Sequence, residues 1–176
     1  LPLVAYYYRK EEKLLVFDFV YNGSLAGHLH KKHTKESPGL NWPIRLNIIK
    51  GVAKGMSHLY EELPSLIVPH GHLKSTNVLL DKSFQPLLMD YTLLPVVNAS
   101  QAHQLLTAYR SPEYAQQGHN TKKSDVWCLG VLILEILTGQ FPANYILSKG
   151  DFTNWINTIT SCLLYTSDAA DDSLRV

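Results

Sequence analysis

His70-Gly71-His72-Leu73-Lys74-Ser75-Thr76-Asn77 is the stretch whose reading decides the fold. It is polar, and short apolar runs flank it: Leu66-Ile67-Val68 before, Val78-Leu79-Leu80 after. Apolar runs this short, bounded by turn residues, predict short strands, which makes the octet a loop between two of them. Asp81-Lys82-Ser83 is a further turn. Pro86-Leu87-Leu88-Met89 then reads as a third strand, ending at Asp90-Tyr91-Thr92. Beyond it, Ser111-Pro112-Glu113 precedes an apolar helix that contains Asp125 and Trp127. Three punctuated motifs therefore follow one another in a fixed order.

Upstream, Trp42, Leu46, Ile49, Ala53, Met56, Tyr60 and Leu63 recur at spacings of four and three and predict one helical face. Asn41 and Pro43 supply a start and Pro64 a stop. Gly51 and Gly55 each cost roughly 1 kcal/mol against Ala in a helix interior, a cost tolerated where another backbone packs closely. Lys13 to Val20, rich in Leu, Val and Phe and followed by Asn22-Gly23, predicts a buried strand running into a connector. Tyr6, Tyr7 and Tyr8 fit a strand with aromatics on both faces. The stretch from residue 28 to 39, with His28, His30, His33 and several lysines, has the composition of a solvated loop rather than of a metal site. Downstream, Asp125 to Thr138 predicts a second helix with Ser124 as N-cap, Gly139 as its stop and burial on every side. Trp42 and Trp127 read as core residues.

The chain has 176 residues, 45% hydrophobic and 18% charged, a globular composition. Sixteen Lys and Arg against fifteen Asp and Glu argue against nucleic acid or an anionic membrane surface as a general electrostatic partner. Cys128 and Cys162 alone make no disulfide framework. The longest apolar stretch, Val126 to Leu134, is too short to span a bilayer. A chain that starts at Leu1 rather than Met reads as a piece of a longer protein.

In order and spacing, the three motifs resemble those of protein kinases, whose catalytic loop reads His-Arg-Asp-Leu-x-x-x-Asn, followed by Asp-Phe-Gly and Ala-Pro-Glu. The resemblance covers nearly all of residues 1 to 160. It narrows through Leu14-Leu15-Val16-Phe17-Asp18-Phe19 with Asn22-Gly23-Ser24-Leu25, Tyr109-Arg110-Ser111-Pro112-Glu113-Tyr114, and Lys123-Ser124-Asp125-Val126-Trp127. These are similar to plant leucine-rich-repeat receptor-like kinases of the pollen receptor-like group. The resemblance implies an α+β fold: a truncated kinase domain from about the fourth strand of the small lobe to the seventh helix, mainly helical beyond that strand pair. It implies ATP and Mg²⁺ as ligands, with Asn77 and Asp90 at the metal positions and Lys74 approaching the transferred phosphate. Phe17 stands at the gatekeeper position, the backbone near Asp18 and Val20 at the adenine hinge, and Leu79 beneath the adenine ring. Asp125 is implied to hydrogen-bond the catalytic-loop backbone.

Four positions depart from the pattern. His72 replaces the catalytic Asp that accepts the substrate hydroxyl proton. Gly71 replaces the Arg that grips a phosphorylated activation loop, and Tyr91 and Thr92 replace Phe and Gly. Thr92 is β-branched and poorly suited to positive φ, so Asp90 is expected to be held differently. An imidazole of ordinary pKa near 6.5 can accept a proton, and a positioned base contributes roughly 10²–10⁴ in rate; a protonated one would repel Mg²⁺. Thr92, Ser100, Thr107 and Ser111 are candidate phosphate acceptors that lack the gripping Arg, so phosphorylation there is not expected to switch activity on. Glu113 matches an ion-pairing Glu whose Arg partner the family places beyond this stretch.

The resulting expectation is a receptor-like pseudokinase on the cytoplasmic face of the plasma membrane, part of a single-pass receptor. It would present a kinase-shaped surface to other receptor kinases or signalling proteins, without membrane contact by this segment. The rival is a weakly active serine/threonine kinase that uses His72. A third reading, in which no stable product forms, rests on the apolar Lys13–Val20 strand left with an open edge. From about Ser161, the run Cys162 to Asp172 resembles a translated sequencing adapter. Residues 161–176 are therefore set apart as a non-native tail.

Overall fold

The computed structural model describes residues 1–9, 12–31, 39–66, 69–91, 93, 111, 116, 121–142 and 154–161. Thr92, Ser100, Thr107, Glu113, His33, Ile67, Val68 and the tail from Cys162 lie outside them. The chain begins with an antiparallel pair, β1 (Leu3–Tyr8) and β2 (Lys13–Phe17), in register from Leu3 opposite Phe17 to Tyr8 opposite Lys13, with one irregularity between Leu3 and Ala5. Every β1 side chain is exposed, Tyr6 by 72%, and the middle of β2 is exposed as well, Leu14 by 51%. This corrects the expected buried strand. The sheet has two strands, and among the described residues no third layer covers either face.

Asn22-Gly23 makes the expected turn, with Gly23 left-handed at φ 66°. Ser24 then caps helix α1 (Leu25–His30), its hydroxyl accepting from the Gly27 amide. The solvated-loop reading is corrected at both histidines in this helix. His28 Nε2 lies 2.7 Å from the Asn22 carbonyl, and His30 Nε2 lies 2.7 Å from Glu135 Oε1.

Helix α2 (Trp42–Glu62) starts as predicted, the Asn41 side chain accepting from the Ile44 amide with Pro43 in the first turn. Its buried face, however, is Ile48, Val52, Met56 and Leu59, while Trp42 and Ala53 are exposed. Apolar side chains occur on two neighbouring stripes of this helix, and spacing alone does not choose between them. The glycines do. A Cβ on Gly51 would stand 2.5 Å from Pro86 Cγ, and one on Gly55 would stand 2.9 Å from Leu88 Cδ1. The missing side chains admit strand β4 (Pro86–Leu88), and the helix rotates to face it. The close neighbour is thus a pair of side chains, which corrects the expected backbone.

A one-turn 3₁₀ helix (Ser75–Asn77) leads directly into β3 (Val78–Leu80), which pairs antiparallel with β4. The Gly23 carbonyl accepts from the Leu80 amide, and Ser24 bridges to Leu79. Helix α3 (Lys122–Thr138) begins three residues earlier than predicted, because Thr121 is the N-cap and its amide donates to Ser124 Oγ at 3.0 Å. Gly139 closes the helix in left-handed conformation at φ 68°. The helix is not buried on every side, since Val126 is 63% exposed. A cavity of about 720 Å³ opens beside it, lined by Tyr60, Val126, Trp127, Leu134 and Ile156 with Lys122 and Lys123 at the rim. Trp127 is accordingly half-buried. The fully buried tryptophan is Trp155, in helical residues 154–161, where it joins Leu25, Leu29, Leu73, Leu132 and Ile136 in one core. No helix among the described residues is long and apolar enough to cross a membrane.

Candidate functional site

The loop from His70 to Asn77 is anchored at one end by a buried carboxylate. Asp125, 1% exposed in the first turn of α3, accepts from the His70 amide at 3.0 Å and from the Gly71 amide at 2.8 Å. These are the loop-backbone bonds the family resemblance implied. Gly71 sits at φ 75°, a left-handed conformation that suits glycine and would strain the arginine of the family pattern. The Tyr60 hydroxyl donates to the Lys122 carbonyl and lies 3.4 Å from Asp125 Oδ2. Burial raises the Asp125 pKa, and the two amides and the tyrosine oppose that shift.

His70 is 1% exposed, with Tyr91 edge-on at 6.4 Å between ring centroids. Burial, and secondarily His72, lowers its pKa to about 4. His72 is likewise lowered to about 4, by burial first and then by the charge of Lys74. Both rings are neutral at pH 7, so the expected repulsion of a cation by a protonated His72 does not arise.

The tautomer of His72 follows from its partner. Asn77 Nδ2 lies 2.9 Å from the His72 carbonyl and 3.0 Å from His72 Nδ1. A carbonyl only accepts, so the NH₂ of the Asn77 amide must face this corner, and Nδ1 must accept from it too. The ring proton is therefore on Nε2, which is buried and has no hydrogen-bond partner among the described residues. Asn77 Oδ1 points away from the ring and accepts from Thr76 Oγ1 at 3.3 Å. Backbone bonds hold the asparagine in place: its amide donates to the Lys74 carbonyl, and its carbonyl accepts from the Met89 amide.

Asp90, one residue beyond Met89, takes the left-handed conformation itself, at φ 58°. Burial raises its pKa and Lys74 opposes the rise. The charge of Lys74 thus acts on both Asp90 and His72. The structure brings together His72, Lys74, Asn77 and Asp90 around the end of the β3–β4 hairpin. Leu79 joins the turn that follows Val20 through its bridge to Ser24. Phe17 ends β2 half-buried, and Asp18 stands exposed just beyond it. Oxygen donors at Asn77 and Asp90 suit a hard cation such as Mg²⁺. Among the described residues no cluster of three or more His, Cys, Asp or Glu side chains is placed to hold a metal.

Sequence reasoning missed one cluster, in which Glu135 accepts from Ser75 and pairs with His30. The available signal was a lone acid inside the apolar run from Val126 to Leu137.

The anchored loop, the hairpin that follows it and the helix beneath it define a protein kinase large-lobe core. Residues 1–166 match the family model for protein tyrosine and serine/threonine kinases, and the chain belongs to that family as a partial kinase domain. More narrowly, it is similar to plant receptor-like kinases. It is 64% identical to pollen receptor-like kinase 4 of Arabidopsis thaliana over 85% of its length, and 61% identical to pollen receptor-like kinase 1 of Petunia integrifolia over 90%. It is also 51% identical over 99% of its length to a probable LRR receptor-like serine/threonine-protein kinase of Arabidopsis thaliana. The chain spans 22% to 26% of the length of these relatives.

Proposed function

We propose that this chain is the kinase-like part of a plant receptor-like protein that has lost efficient phosphoryl transfer and serves as a scaffold or regulator for other receptor kinases. Residues 1–160 carry that role, on the cytoplasmic face of the plasma membrane, and residues 161–176 lie outside it. The observation that carries the reading is the state of His72. A base must offer a lone pair to the departing hydroxyl proton. In His72 one nitrogen already holds a proton, and the lone pair of the other accepts from Asn77. Low basicity is not the obstacle, because a pKa of about 4 is close to that of an ordinary carboxylate. Two acceptor oxygens have been replaced by one committed nitrogen and one N–H.

In this reading Asn77 Oδ1 and Asp90 would hold Mg²⁺, which neutralises phosphate charge when bound, and Lys74 would face the phosphate. Phe17, Asp18, Val20 and Leu79 would border the adenine. Retention of Lys74, Asn77 and Asp90 favours the alternative, a weakly active ATP-dependent serine/threonine kinase. Transfer of labelled phosphate from ATP by the whole kinase-like domain, with Mg²⁺ and beside a His72→Asp variant, separates the two. The scaffold reading expects no transfer above a Lys74→Ala, Asp90→Asn double variant, with a gain in His72→Asp only if the rest of the site survives. Transfer by the parent clearly above that background would establish the enzyme.

A further inference from the structure

Glu135 is 0% exposed, the single carboxylate in the apolar interior of α3. One of its oxygens does all the bonding. Oε1 accepts from Ser75 Oγ at 2.6 Å and lies 2.7 Å from His30 Nε2, while Oε2 is buried and without a partner among the described residues. Three elements meet there: α1 through His30, the 3₁₀ turn between Lys74 and Asn77 through Ser75, and α3. Phe141 packs on the His30 ring at 4.9 Å between centroids, which limits its rotation. Arg45 of α2 comes close, but it donates to the Leu40 and Ile136 carbonyls.

We infer that His30, Glu135 and Ser75 form a positioning relay that couples the orientation of helix α1 to the loop bearing His72, Lys74 and Asn77. The coupling follows from the buried carboxylate. Burial favours its protonated form, and His30 and Ser75 are the groups that oppose this. A donor from His30 favours the charged carboxylate, which accepts from Ser75 more strongly than a neutral carboxyl would. Without His30, Oε1 loses one of its two partners and burial is less opposed, so the bond to Ser75 weakens. The Gly23 and Ser24 backbone already joins the start of α1 to β3, and the two hydrogen bonds on Glu135 add a side-chain route from within α1 to Ser75, two residues before Asn77. Ser75, Glu135 and His30 act through their neighbours and are positioning residues.

Amide hydrogen exchange on the whole kinase-like domain tests this. The reporter is the Asn77 amide, bonded to the Lys74 carbonyl, and the control is the Leu80 amide, bonded to the Gly23 carbonyl. Ser75→Ala is expected to speed Asn77 exchange about tenfold, the equivalent of about 1.4 kcal/mol, with Leu80 unchanged. His30→Ala is expected to do the same from a separate helix, and the double variant to be no faster than Ser75→Ala alone. His30→Gln, which keeps a donor but loses the ring on Phe141, is expected to restore protection. Three results would overturn the relay: parental Asn77 exchange in His30→Ala, rates that multiply in the double variant, or equal acceleration of Leu80, which would mark general loosening. The readout requires neither nucleotide nor catalysis, so it stands or falls apart from the scaffold reading.

Discussion

The strand pair β1–β2 and the helical body around Asp125 are written in similarly apolar sequence, yet they are held in different ways. In the body, the same residues supply burial and backbone satisfaction: Leu25, Ile48, Leu73 and Leu132 are fully buried, and Asp125 occupies two loop amides at once. In the strand pair, ladder hydrogen bonds are present but burial is not. Arg9 over Tyr7 and Lys13 over Tyr8 are the kind of contact that remains when aromatic rings face water. A hairpin with no hydrophobic face covered is at best marginal by itself. The difference teaches that strand pattern and strand stability are separate properties, and that in this chain stability resides in the body.

Substitutions can break that contrast. Asp125→Ala is expected to be the most damaging, at about 3–5 kcal/mol, because it removes a buried carboxylate and orphans the two loop amides it holds. Urea unfolding measures it, and a loss below about 1 kcal/mol would show that the loop is held by something else. The next effect is a pH dependence confined to the body. The folded pKa of His70, about 4, lies below its unfolded value near 6.5, so the unfolded chain binds more protons between those limits. The stability from neutral burial is therefore complete above about pH 6.5 and is lost as pH falls toward 4, at no more than about 1.4 kcal/mol per pH unit. The raised carboxyls of Asp90, Asp125 and Glu135 act in the opposite sense, so the readout is the difference between parent and His70→Asn across that window. Parallel stability curves would count against a buried neutral His70.

Smaller effects sharpen the same comparison. Gly51→Ala is expected to lose about 1–2 kcal/mol net, the gain of roughly 1 in helix propensity being exceeded by overpacking against the rigid Pro86 ring. Gly55→Ala should cost less, since it meets the mobile end of Leu88. A thermally stabilised Gly51→Ala would contradict the close packing of α2 on β4. Leu15→Thr and Val4→Thr in the strand pair should stay within about 0.5 kcal/mol, as exposed substitutions usually do. A larger loss there would mean that the pair is covered in solution.

Much of this was legible in the sequence. The loop, the β3–β4 hairpin, the start of α2 and the stop of α3 could be read because each depends on local chemistry: Asn41 as a cap, Gly139 in left-handed form, turns at Asn22-Gly23 and Asp81-Ser83. The role of Asp125 came from family resemblance and not from spacing. The errors lie where distant residues decide. The face of α2 is set by Pro86 and Leu88, and the partners of His30 and Ser75 come from Glu135, 105 and 60 residues away. The start of α3 differs for a local reason: Ser124 suits a cap, but here its hydroxyl accepts from the amide of Thr121, which is the N-cap itself. At the candidate site, sequence supplied the substitution of His72 but not its tautomer, which needs the position of the Asn77 amide.

The buried cysteine of α3 offers a clock. Cys128 is 7% exposed on a helix that carries both Asp125 and Glu135. With Cys162 changed to serine, a thiol reagent would reach sulfur only when α3 parts from the core. The labelling rate then reports how often the body breathes, at a sulfur three residues along the helix from Asp125.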